Sequence, residues 1–152
     1  MEYERGSVGR TFVLRLMEGD PIYASIESVA KKEGCSCAAV WIVGGVQHGG
    51  VVVGPKVQEV FPLQVMEERF SDAREIVGFG TIFSNEKGEP RLHMHAAIGK
   101  GATVVAGCPR KGADCWLVDE VIMLELTGLS ARRVLNADSG LELLTMGREK
   151  KS

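Results

Sequence analysis

The period of the apolar positions changes early in this chain, from one helix to a long run of strands. Thr11 to Met17 alternates, with Phe12, Leu14 and Leu16 on one side, which predicts a strand. From Asp20 the spacing lengthens. Ile22, Ile26, Val29 and Ala30 make one stripe of a helix, with Glu27, Lys31 and Lys32 outside it. Asp20 is the expected cap, Pro21 the first helical residue, and Gly34 the stop after about Glu33.

Beyond Gly34 the runs are short and β-rich. Cys37 to Val43 is apolar throughout, as a strand covered on both faces would be. Gly44-Gly45 and Gly49-Gly50 bracket Val46-Gln47-His48, and Val51 to Val53 follows as a further strand. Val57 to Met66 is expected to be a strand interrupted near Pro62. Arg74 to Phe83 and Arg91 to Ile98 read as the arms of a hairpin around the loop Ser84 to Pro90. Thr103 to Ala106, Val121 to Leu126 and Leu141 to Met146 complete the strands, and Asp114 to Asp119 is open between a helical turn and an extended bend. This order predicts an α+β fold: a mainly antiparallel β-sheet with one principal α-helix packed on it. Regular βαβ alternation does not occur, which argues against a doubly wound parallel sheet. The chain reads as one domain over residues 10–146, with 1–9 a loose tail and 147–152 a frayed C-terminal tail.

Composition changes this picture little. The 152 residues are 45% hydrophobic and 25% charged, ordinary for a globular chain, and the 19 glycines suit many tight turns. A net charge of −2 gives no general footprint for nucleic acid. The pairs Lys31-Lys32, Arg132-Arg133 and Lys150-Lys151 read as solvated surface charge. No apolar run reaches the roughly 20 residues of a membrane span, and the polar, acidic start Met1 to Arg5 does not resemble a signal peptide, so a cytoplasmic location without membrane contact is expected. The four cysteines form no CxxC pair and do not suggest a disulfide scaffold.

The chemistry concentrates on His93-Met94-His95, which holds two of the three histidines. On a strand they share a face, about 6.5–7 Å apart at Cα, so both imidazoles can reach one metal ion. Two histidines alone are a weak signal, and the competing reading is a pair of hydrogen-bonded surface imidazoles. A third ligand must come from elsewhere. Cys108, in Ala106-Gly107-Cys108-Pro109, closes a strand that could return beside the histidines; otherwise it is a small buried hydrophobe. His48 in the glycine-rich turn and Glu75 on the opposite hairpin arm are further candidates. If the hairpin closes around Lys87, Gly78 and Gly80 fall near the histidines and leave open surface for a ligand. Gly44 to Gly50 has neither the phosphate-loop nor the dinucleotide pattern, and no G-x-S-x-G nominates a nucleophilic serine. Trp41 and Trp116 read as core or interface anchors.

Taken in order, several pieces of the chain resemble the plant-and-prokaryote-conserved (PPC) domain. They are the strand, the helix after Gly19-Asp20, the apolar strand ending in Gly44-Gly45, Glu75 to Gly80, Gly88-Glu89-Pro90 and His93-Met94-His95. The resemblance runs from about Arg10 to Met146. It implies a homotrimeric α+β module, of the free-standing prokaryotic type. In plants the domain follows DNA-binding AT-hook segments and mediates oligomer and partner contacts. Many prokaryotic members carry a third histidine in a Gly-Gly-His sequence, so the three histidines look like a metal site. Here Gly107-Cys108 stands at that point, and a cysteine favours zinc over harder ions. Two departures narrow the expectation. The Arg-Gly-Arg-Pro hook does not occur in this sequence, and the plant segment Gly-Arg-Phe-Glu-Ile-Leu is represented only by Ala73 to Val77, so its partner recognition carries over no further than Glu75 and Ile76.

The resulting expectation is a trimeric regulatory module that binds DNA or a protein partner, with zinc or another divalent metal at His93, His95 and Cys108. The alternative is a metal-dependent enzyme or small-ligand-binding protein using the same residues. Nothing in the sequence nominates a reaction, and the balance leans away from an enzyme. A plain scaffold is the third reading.

Overall fold

The computed structural model describes residues 1–109 and 112–147. Ten strands and one helix follow in the order β1 (Ser7–Met17), α1 (Ile22–Lys32), β2 (Cys37–Gln47), β3 (Gly49–Pro55), β4 (Val65–Phe70), β5 (Arg74–Ser84), β6 (Pro90–Lys100), β7 (Thr103–Pro109), β8 (Asp114–Thr127), β9 (Arg132–Asn136) and β10 (Leu141–Thr145). Eight strands form one antiparallel sheet in the order β1-β8-β2-β5-β6-β7-β3-β4, and β9 and β10 make a separate hairpin. This is the α+β architecture expected from the hydrophobic pattern.

The helix forms where its stripe can be buried. Ile22, Ile26 and Ala30 are buried against the sheet. Its end is a Schellman arrangement: Gly34 takes φ 65°, its N–H donates to the Lys31 carbonyl, and the Cys35 N–H donates to the Ala30 carbonyl. The start differs from expectation. Pro21 is the cap itself, and the Asp20 carboxylate accepts from the Met17 N–H at 2.8 Å, bracing the turn that ends β1.

Alternation splits each central strand between two faces. Ala38, Val40 and Ile42 of β2, Ile76 and Ile82 of β5, Met94 and Ile98 of β6, and Val121 and Met123 of β8 point to the helix side and form the core. The glycines at 78 and 80 lie on that buried side, opposite Ala96 and Met94. A Cβ on Gly78 would sit 2.9 Å from Ile42 Cγ2, and one on Gly80 would sit 2.8 Å from the His93 carbonyl oxygen. The expectation that these glycines open the surface beside the histidines is therefore corrected: they make room for Met94 and its neighbours in the core.

Four further local expectations change. Residues 57–64 form no strand, and β4 begins only at Val65, beyond the proline that interrupts the apolar run. Asp114 to Asp119 belongs to β8, with a bulge where Gly44 and Gly45 pair with Asp119 and Trp116, and Leu117 takes φ 65°. β1 starts inside the supposed N-terminal tail, and Glu4 ties the preceding residues down by accepting from the Ser130, Ala131 and Gly147 N–H groups and the Ser130 hydroxyl. Arg132-Arg133, read as solvated surface charge, opens the strand Arg132–Asn136, which pairs with β10. The expected fraying after Gly147 and the pair Lys150-Lys151 lie outside the described residues.

Candidate metal centre

The site is built where the sheet divides. β5 and β6 pair from Ser84↔Pro90 to Glu75↔Gly99, so the hairpin closes around residue 87 as the sequence predicts. Asn85 organises its loop: the side-chain oxygen accepts from the Lys87 and Glu89 N–H groups. β7 returns beside β6 from Lys100↔Thr103 to Ala96↔Gly107, then turns to β3, where Val52 pairs with Cys108 and Val51 with Pro109. Gly107 is required at that transfer, because a Cβ there would run into the Val52 carbonyl. On the other strand, the Leu92 N–H donates to the Glu27 carboxylate of the helix at 2.9 Å. β6 and β7 thus separate beyond Ala96 and Gly107, and the next residues on each, His95 and Cys108, face each other across the opening.

His93, His95 and Cys108 come together there. Their ligand atoms lie within 4.8 Å of one another, and the two imidazole rings stand edge to face at 5.1 Å between centroids. A tetrahedral zinc with nitrogen and sulfur ligands needs ligand atoms about 3.4–3.6 Å apart, so binding would draw these three closer. Two neutral imidazoles and a thiol form a zinc-type donor set. The residues fit such an ion and would supply three of its four ligands. Both histidines are exposed and Cys108 is half-buried. The other two candidates stand apart. Glu75 shares the histidine face but pairs with Gly99, four residues along β6 from His95. His48 occupies the β2–β3 turn with φ 57° and is not part of the cluster.

The cluster lines a cleft of about 1310 Å³, together with Trp41, Phe79 and residues of the β9–β10 hairpin. Arg133 comes from that hairpin. It is buried, 6% exposed, while its neighbour Arg132 stays in solvent, which corrects the reading of the pair as solvated charge. One guanidinium nitrogen donates to Thr81 Oγ1 at 3.2 Å, and Thr81 is the register partner of His93. Burial holds this guanidinium below its usual pKa, with Glu142 and Cys108 opposing the shift. Sequence reasoning missed Arg133 because its burial depends on the hairpin folding back over β5, and Arg-Arg-Val-Leu-Asn carries no alternation to mark it.

Outward from the cleft the same sheet face is apolar. Val13, Ile122, Trp41, Phe79 and His95 form one row across five strands, each residue paired with the next. Val13 is 78% exposed and Phe79 51%, with Trp41 packed edge-on against Phe79 at 5.3 Å. Val43 and Val77 extend the patch along the strands.

Comparison with known proteins agrees with this architecture. The fold matches the metal-containing protein of Archaeoglobus fulgidus with a TM-score of 0.82 at 23% identity, over 95% of this chain and 99% of that one. It matches the plant- and prokaryote-conserved protein of Pyrococcus horikoshii with a TM-score of 0.81 at 23% identity, over 97% and 99%. A proposed DNA-binding protein from Bacteroides thetaiotaomicron gives 0.76 at 19% identity, over 94% and 99%. No curated protein matches the chain. Among the described residues no helix is long and apolar enough to cross a membrane. The profile of the Plants and Prokaryotes Conserved (PCC) domain covers residues 3–127, from β1 through the histidine strand and Cys108 to the end of β8, and the chain belongs to that family.

Proposed function

We propose that this chain is a self-assembling regulatory module, a cytoplasmic homotrimer built on residues 10–146, that recruits a DNA or protein partner and holds a divalent metal at His93, His95 and Cys108. The observation that carries the reading is the row from Val13 to His95. Exposed apolar side chains lead across the sheet directly to the metal-type donors. A contiguous apolar face of this kind is costly on an isolated chain and is the usual mark of a contact surface. The donor set names zinc as the preferred ion, and the similar Archaeoglobus fulgidus protein is described as metal-containing.

Metal analysis on protein purified without an affinity tag tests the site. About one equivalent per chain is expected in the wild type, with loss in His93→Ala and Cys108→Ala; a wild type below about 0.2 equivalents rejects it. Sedimentation equilibrium tests the assembly, and a concentration-independent monomer rejects the trimer. DNA is the partner class with a sharp test, since binding through phosphates weakens steeply with salt. A mobility shift that ignores salt rejects phosphate contact.

The volume and walls of the cleft favour a second reading, a small-ligand-binding protein or metal-dependent enzyme using the same residues. A bound zinc would supply Lewis-acid polarisation. What the chain itself supplies is an apolar wall for orientation from Trp41 and Phe79 and a fixed positive group, Arg133.

A further inference from the structure

Arg133 is out of place as a structural residue. An arginine this buried is normally matched by a carboxylate or fully hydrogen-bonded, because an uncompensated buried charge is costly. Here one nitrogen donates to the neutral Thr81 hydroxyl and the buried Nε has no partner. Among the described residues no carboxylate lies within ion-pairing distance of it. Glu142, whose charge acts on it, lies on the facing strand of the hairpin and lines the same cleft, with its carboxylate 3.9 Å from Arg91. Arg133 also lines the same cleft as His93, His95 and Cys108.

Charge bookkeeping in the cleft points the same way. A divalent ion held by two neutral imidazoles and one thiolate keeps one positive charge, and Arg133 adds a second. Of the other charged groups lining the cleft, Arg91 is engaged by Glu89 at 2.7 Å and lies 3.9 Å from Glu142, and Glu27 accepts from the Leu92 N–H. A buried guanidinium with an unpartnered nitrogen, lining the same cleft as a cationic metal position, calls for an anion. The planar guanidinium selects a planar oxyanion, and the hairpin wall (Leu143, Leu144) selects an apolar body behind it.

We propose that the cleft binds a small organic carboxylate, with the carboxylate held by Arg133 beside the metal position and the apolar body against Leu143 and Leu144 of the β9–β10 hairpin. The proposal rests on the metal reading above, and its test separates the two. The full chain, tag removed, is loaded with cobalt(II), and metal content is measured in the wild type and in Arg133→Gln. Phenylacetate, acetate and inorganic phosphate are then titrated while the visible cobalt spectrum is followed.

The expected result is equal cobalt content in both proteins. Phenylacetate should bind the wild type at least about tenfold tighter than acetate or phosphate, and Arg133→Gln should lose at least about tenfold of that affinity. Arg133→Lys keeps the charge without the fork, and should recover only part of the loss. If Arg133→Gln fails to fold by thermal melting, Arg133→Lys carries the test, with about a fivefold loss expected. Unchanged phenylacetate affinity in the variants, or phosphate binding tighter than phenylacetate, overturns this proposal alone. A wild-type chain that takes up no cobalt overturns it together with the metal reading.

Discussion

The two faces of the sheet are made by the same strands and differ in almost everything else. On the helix side Val40, Ile42, Ile82 and Met123 are fully buried and interlocked. On the other, their immediate neighbours Trp41, Val43 and Ile122 stand in solvent, and His93, His95 and Cys108 share their side of the sheet. Each face also holds one buried charge. Asp119 lies on the core side at the β8 bulge, fully buried, with neither oxygen in a well-formed hydrogen bond. Arg133 lies over the open side and lines a cleft. A buried charge beside an opening has a ligand within reach, whereas one enclosed in the core only costs stability. The lesson is that burial fixes the fold on one side while exposure keeps chemistry available on the other.

Substitutions break that contrast in graded steps. Ile42→Ala should destabilise the fold by about 3 kcal/mol in denaturant titrations, because it opens a cavity in the interlocked layer. Phe79→Ala, on the opposite face, should cost about 1 kcal/mol or less in the isolated chain, yet weaken self-association in sedimentation measurements. Equal stability losses from the two would dissolve the distinction between the faces.

The smaller effects concern charge. Burial raises the Asp119 carboxyl to about 6, and the nearby Cys115 thiol and Gly45 N–H offset this only in part. The same enclosure pushes the Cys115 thiol up to about 12. Between about pH 4 and 6 the folded chain keeps a proton that the unfolded chain has released, so stability falls as pH rises through that window. Asp119→Asn should therefore raise stability at pH 7, by about 1–3 kcal/mol, and flatten the pH profile. A destabilised variant at pH 7 would show that the ionised carboxylate has a partner. The surface pair behaves oppositely. Arg10 holds Glu125 down to about 2 through hydrogen bonds at 2.8 Å. Its stabilisation is present above the usual carboxylate range and disappears as pH falls toward 2. Glu125→Gln should give the smallest change, seen only as a shallower acid limb in thermal melts.

The hairpin arms, their centre at residue 87 and the shared face of His93 and His95 were legible because they depend on period and loop chemistry, which are local. Cys108 could be nominated only as the end of a strand that might return; its approach depends on β7 leaving β6 for β3. Gly78 and Gly80 were misread because a glycine carries no polarity to mark its face, and strand parity assigns them to the core. Val57 to Met66 was misread because β-rich composition does not reveal that Pro62 falls where no ladder can continue.

What the sequence determined by itself is one helix stripe and the central strands, since both follow from side-chain spacing along a short stretch of backbone. It also determined the histidine pair, for the same reason. Tertiary structure alone decided the third donor, the cleft and the burial of Arg133, because each depends on segments far apart in the chain meeting in space. An arginine in a basic pair has the same local signature whether it faces water or a cleft. Only the hairpin folded over β5 makes the difference.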